Sequence, residues 1–136
     1  MQQGQMPPLP GAHESEQVTD AWPTGADGKP RAVLYVAGPM TNQPFFGRPV
    51  FETATDQLRR AGYHVLNPAR QPLGLSYREY MRRGENDLIY SDGVALLPGW
   101  EDSPGATHEK NLAQSWGLDV RPIDAWPQFP PVRNTP

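Results

Sequence analysis

The chain has 136 residues, 12 Lys+Arg against 15 Asp+Glu, and no cysteine. That length predicts one domain, and the net charge of −3 argues against a nucleic-acid partner, which would call for a clustered basic excess. Disulfides, cysteine–zinc sites, iron–sulfur clusters and thiol nucleophiles are excluded, and no apolar run approaches the ~20 residues of a membrane span.

The start is rich in Gln and Pro and lacks the apolar stretch of a secretory signal. A cytoplasmic location with no membrane partner is therefore expected. The 17 prolines are unevenly spread, with five in residues 1–31 and five in 122–136. Residues 1–31 read as a flexible, disordered N-terminal arm and residues 125–136 as a Pro-rich tail, neither helix nor strand, whose Trp126 and Phe129 are able to dock on a surface. Between them, residues 32–124 form the folded domain.

In chain order, AVLYVA (32–37) is a continuous apolar run ended by Gly38-Pro39, as expected of a strand buried on both faces. Pro49 suits the first turn of a helix. Val50, Phe51, Ala54, Leu58 and Ala61 then recur at helical spacing, and Gly62 stops the helix. YHVL (63–66) is a second strand, ended by Asn67-Pro68. Ser76 and Glu79 have the spacing of a capping box. The helix they open carries Tyr77, Tyr80, Met81, Gly84 and Leu88 on one stripe. GVALL (93–97) is a third strand, ended by Pro98-Gly99. Ser103 and Pro104 open a third helix, which Gly117 stops, and DVRPI (119–123) is a fourth strand.

Strands joined by helices are parallel, and their crossovers are right-handed. The fold class is therefore α/β, a doubly wound, flavodoxin- or Rossmann-like parallel sheet with strand order 2-1-3-4. Such sheets bind ligands outside the carboxyl ends of the strands, where the order reverses. Two loops are expected there, 38–42 after the first strand and 98–103 after the third.

Glu109 breaks the apolar stripe of the third helix, which is otherwise Ala106, Leu112, Ala113 and Trp116. A buried carboxylate without a partner is costly. One reading is structural, an ion pair with a basic neighbour or a position edging into solvent. The other is chemical. Gly105 and Ala106 leave the helix start nearly bare, so its N–H groups face any ligand in the crevice. A carboxylate just beyond can attack an anomeric carbon. His13, His64 and His108 lack metal-ligand spacing, so neither metal nor cofactor is expected.

YVAGPM (35–40), the LNP after the second strand, Asn86-Asp87-Leu88 and LPGWEDSPGATHEKNLA (97–113) together resemble the nucleoside 2-deoxyribosyltransferase superfamily, and its small phage and bacterial branch most of all. The resemblance spans about residues 32–123. It implies that Glu109 is the nucleophile, that Asp87 hydrogen-bonds the leaving base and assists its protonation, and that Tyr35 orients the glutamate. It also implies Gly38 and Pro39 as the floor under the ligand. Met40, Asn42, Gly99, Trp100, Ser103, Gly105 and Ala106 complete the expected binding set from the two loops and the helix start. Phe45 or Phe46 is expected, on chemical grounds, to stack on the base.

The implied activity is cleavage of an N-glycosidic bond and transfer of the sugar to another base. The implied partners are a nucleoside or nucleotide, a free nucleobase, and further copies of the chain in a homo-oligomer. One position departs from the family pattern. Characterised transferases carry an acid two residues before the glycine, where this chain has Ser103. A hydroxyl tolerates a 5′-phosphate that a carboxylate repels. Hydrolysis of nucleoside 5′-monophosphates by an N-glycosidase is thus the first alternative, and a non-catalytic nucleotide-binding module the second.

Overall fold

The computed structural model describes residues 32–128. The expectations for the N-terminal arm, for His13 and for Phe129 fall outside those residues. Four strands, β1 (Val33–Ala37), β2 (His64–Leu66), β3 (Gly93–Leu96) and β4 (Asp119–Pro122), form one parallel sheet in the order β2-β1-β3-β4. Three helices, α1 (Arg48–Ala61), α2 (Tyr77–Ile89) and α3 (Pro104–Ser115), join them in turn. The doubly wound α/β sheet and its order agree with the sequence reading.

Both central strands, β1 and β3, are buried along their whole length. Their side chains alternate between two cores. Leu34, Val36 and Ala95 face α1 with Phe51, Ala54 and Leu58. Val33, Tyr35, Ala37, Val94 and Leu96 face the other way, toward Leu88 of α2 and Ala106 and Ala113 of α3. Asp92 registers the start of β3 against β1, because its Oδ2 accepts from Val33 N–H at 2.7 Å while its own N–H donates to Val33 O at 2.7 Å.

The helix boundaries follow the local chemistry. Gly62 and Gly117 take left-handed φ values of 110° and 80° after α1 and α3. Ser76 and Glu79 form the reciprocal capping box of α2. Ser103 Oγ accepts from Ala106 N–H at 3.2 Å and caps α3. Three residues of the expected apolar stripes lie on the surface instead: Val50 is 55% exposed, Tyr77 63% and Trp116 45%. Val50 and Tyr77 sit in the first turn of their helices, and Trp116 is the residue that caps the end of α3.

Among the described residues, α1 is the only one of the three helices on its side of the sheet, and it lies over β1 and β2. The rest of that face is covered from beyond β4. Ile123 is buried there, and Trp126, assigned from sequence to the tail, packs against the same core. Trp126 Nε1–H donates to Val94 O at 3.3 Å, its ring meets Tyr63 edge-on, and the Arg121 guanidinium lies over it. Gly93 makes room for the ring, since a Cβ there would lie 2.6 Å from it. Tyr63 Oη–H donates to Pro127 O at 2.7 Å and holds the strap down.

The folded body thus runs past the expected boundary at residue 124. Trp126→Ala should lower stability by about 2–4 kcal/mol through the lost ring and the cavity left behind. Urea unfolding should show a lower midpoint with an unchanged slope.

Candidate active site

Three elements bring the central side chains together. Tyr35 lies in the middle of β1 and is fully buried. Its hydroxyl donates to Glu109 Oε2 at 2.6 Å, a charge-assisted length. Glu109, in the second turn of α3, is 8% exposed. Asp87, near the end of α2, is 3% exposed. The structure therefore places all three expected catalytic residues in one buried region, and Glu109 answers to a tyrosine rather than to a basic residue.

The electrostatics follow from that burial. Desolvation pushes the Glu109 carboxyl up from 4.5 to about 7. The Tyr35 hydrogen bond and the charge of His108 pull the other way, while Glu85 and Asp87 add to the rise. Burial, and then the negative charge and hydrogen bond of Glu109, hold the Tyr35 hydroxyl well above its usual range. Tyr35 thus stays a donor, and Glu109 gains or loses its proton near neutrality.

Gly84 makes this packing possible. It is buried in the middle of α2, where glycine costs about 1 kcal/mol relative to alanine. A Cβ on it would lie 2.6 Å from Glu109 Oε2 and 2.8 Å from Tyr35 Oη. The sequence reading counted Gly84 only as part of an apolar stripe, although a glycine inside a helical pattern was itself a signal of close approach.

The expected binding residues divide into groups. Gly38 is buried against Leu97, whose Cβ would be 2.7 Å from an added Cβ, so packing alone requires that glycine. Gly99, at φ 87°, lies beside Pro39, which brings together the loops after β1 and β3. Met40 packs on the α1 core, Trp100 on the opposite core, and Ala106 is buried. Lys110 Nζ lies 5.4 Å from the Trp100 ring centroid. Ser103 caps α3, and Gly105 faces Met81 and the Tyr77 hydroxyl of α2. Those two side chains were expected to be core.

Asn42, Phe45 and Phe46 are exposed, with φ values of 65°, 51° and 56°. Asparagine tolerates that left-handed backbone, but phenylalanine does so at a cost of roughly 1–2 kcal/mol per residue. The turn is held by Phe46 N–H donating to Gln43 O at 2.9 Å and by Gly47, also left-handed, tucked against Pro39 O. The phenyl rings are 79% and 59% exposed.

A cleft of about 370 Å³ opens elsewhere than expected, along the edge strand β2. Asp87 lines it together with Asn67, Gln71, Arg59 and His64. Sequence reasoning gave the loop after β2 no role in the site. That loop is well braced. Glu52 of α1 accepts from Asn67 Nδ2 at 3.0 Å and from Arg70 through two bonds of 2.9 and 3.0 Å. Arg83 Nη1 donates to Gln71 Oε1 at 3.3 Å. Among the described residues, no group of three or more histidines and carboxylates is placed to hold a metal ion, and no helix is long and apolar enough to cross a membrane.

Fold and site together define a doubly wound α/β domain with a buried tyrosine–glutamate pair beside a second buried carboxylate. Residues 32–121 match the family described as a domain of unknown function, DUF4406, and the chain belongs to that family. No curated protein matches it.

Two stability experiments test this site. Gly84→Ala should destabilise by roughly 1–3 kcal/mol, because overpacking outweighs alanine's helical advantage; an unchanged or raised urea midpoint would refute the contact. Glu109→Gln tests the raised carboxyl. A carboxyl that binds its proton more tightly when folded contributes stability that is present below about pH 4.5 and lost as pH rises through about 7. The glutamine variant should therefore be more stable than wild type above neutrality, by up to about 3 kcal/mol. Urea midpoints should converge near pH 4.

Proposed function

We propose that the protein cleaves the N-glycosidic bond of deoxynucleosides or nucleosides through a covalent glycosyl–Glu109 ester and transfers the sugar to a second base. The observation that carries this reading is the buried carboxylate poised near neutrality on the Tyr35 hydroxyl, with Asp87 close by. A structural ion pair would instead keep the carboxylate ionised far below neutral pH.

Tyr35 occupies Oε2, which leaves Oε1 as the attacking oxygen. Oε1 of ionised Glu109 bonds to C1′ as the C1′–N bond breaks, and its electron pair leaves with the base. Asp87 acts as the acid that protonates that base. A nitrogen of the second base then attacks C1′ from the vacated face and passes its proton to the Asp87 carboxylate, while the ester C–O bond breaks and both carboxyl groups return to their starting states. Two displacements give net retention. The cleft beside Asp87 is the place for the base, and the exposed Phe45 and Phe46 are candidates to close over it. No cofactor enters this scheme. The exposed Phe45, Phe46, Val50, Leu73 and Tyr77 support a homo-oligomer.

Ser103 favours a second reading, hydrolysis of nucleoside 5′-monophosphates, with water replacing the second base. The first turn of α3 carries no acidic residue, and the Ser103 hydroxyl remains free to donate while it caps the helix.

The test is chromatographic turnover by wild type and Glu109→Ala. One set receives a deoxynucleoside and a different free base; the other receives nucleoside monophosphates alone. A new nucleoside from wild type, with the rate cut at least about 1000-fold in the variant, is the expected result. The rate should rise through about pH 7 as Glu109 ionises. Free base released only from monophosphates would move the protein to the hydrolases. Binding without turnover in either set would leave a nucleotide-binding module.

A further inference from the structure

A second contact lies on the outer side of the buried pair. Glu85 follows Gly84 on α2, and His108 precedes Glu109 on α3. Their side chains meet at 2.8 Å, His108 Nε2 to Glu85 Oε2, and both are partly exposed. At one level, therefore, the two helices touch in two layers. The inner layer is the Gly84 backbone against the oxygens of Tyr35 and Glu109. The outer layer is the bond between Glu85 and His108.

That arrangement has two consequences. The inner contact leaves no room for a Cβ on Gly84, so α2 lies close against the Tyr35–Glu109 bond. The outer bond ties α2 to α3 at the same level. It also places an imidazole, whose charge favours the carboxylate, one residue from Glu109. The groups that act on Glu109 are Tyr35 from β1, Glu85 and Asp87 from α2, and His108 on its own helix.

We propose that Glu85 and His108 form a positioning clasp that fixes the spacing of α2 and α3 over Tyr35 and Glu109 and sets the imidazole charge beside the Glu109 carboxylate. The inference rests on the proposed function for its catalytic meaning, because there ionised Glu109 is the attacking group.

The experiment reads Glu109 directly. Its side-chain carboxyl is labelled with carbon-13 and titrated by NMR in wild type, His108→Gln and His108→Arg. The Gln variant should raise the Glu109 midpoint by about half a unit, the scale of one screened charge several ångströms away. The Arg variant keeps the charge and should return the midpoint to the wild-type value or below it. The rise in the Gln variant should shrink in about 1 M salt.

Amide hydrogen exchange in Glu85→Ala reads the mechanical half, with several-fold faster exchange expected around Gly84 and Glu109. An unmoved midpoint in His108→Gln, or the same midpoint in the Gln and Arg variants, would overturn the electrostatic role. Unchanged exchange in Glu85→Ala would overturn the spacing role. These readouts need no turnover. A wild type inactive on every nucleoside and nucleotide would sink the glycosyl-transfer reading and leave the titration result standing.

Discussion

The hydrogen bond from Tyr35 to Glu109 is the constraint around which the rest is arranged. A carboxylate at this depth loses its hydration, and one short bond from a neutral donor returns only part of what is lost. Three features keep the pair in place. Tyr35 sits in a strand covered on both faces, so its ring cannot leave. Gly84 lets the α2 backbone close over both oxygens. Ser103 and Pro104 fix where α3 begins, and hence which residue of its second turn faces Tyr35. None of these makes an ionised Glu109 comfortable. A fold optimised only for stability would put leucine or methionine at that position.

Much of this was legible in the sequence, and the reason is local. Strands buried on both faces read as unbroken apolar runs, and capping residues and glycines punctuate the helices, so element order and sheet order follow from neighbours in the chain. Glu109 stood out because a carboxylate breaks an apolar stripe. Asp87 and Tyr35 came from family resemblance, because nothing in their local pattern marks them. Periodicity also overreached. It placed Val50, Tyr77 and Trp116 on apolar stripes, but at the helix ends these side chains are exposed.

What the sequence did not disclose lies between elements distant in the chain. Trp126 reads as part of a tail able to dock, but only the fold shows where: among the described residues no second helix covers that side of the sheet, and the indole fills the gap. The cleft along β2 joins α1, β2, the loop after it and α2. The bond between Glu85 and His108 spans 23 positions. Each depends on a distance between packed layers, which single-chain patterning does not encode. Gly84 is the intermediate case. Its place in a helix was anomalous on propensity alone, but only the fold reveals which atoms need the space.

The loop after β1 suggests how ligand and fold are coupled. Phe45 and Phe46 hold left-handed backbone that phenylalanine disfavours, and their rings lie in solvent. Both features cost free energy. Such strain persists only where its surroundings impose it. Here Gly47 against Pro39 O and the turn bond to Gln43 do so. In the proposed reading, a flat base would bury the rings and recover part of that cost on binding. Exposed aromatics on the loop after β1 and a desolvated carboxylate in the interior would then be two parts of one arrangement. Substrate would shield the first from water and supply the electrophile that the second lacks.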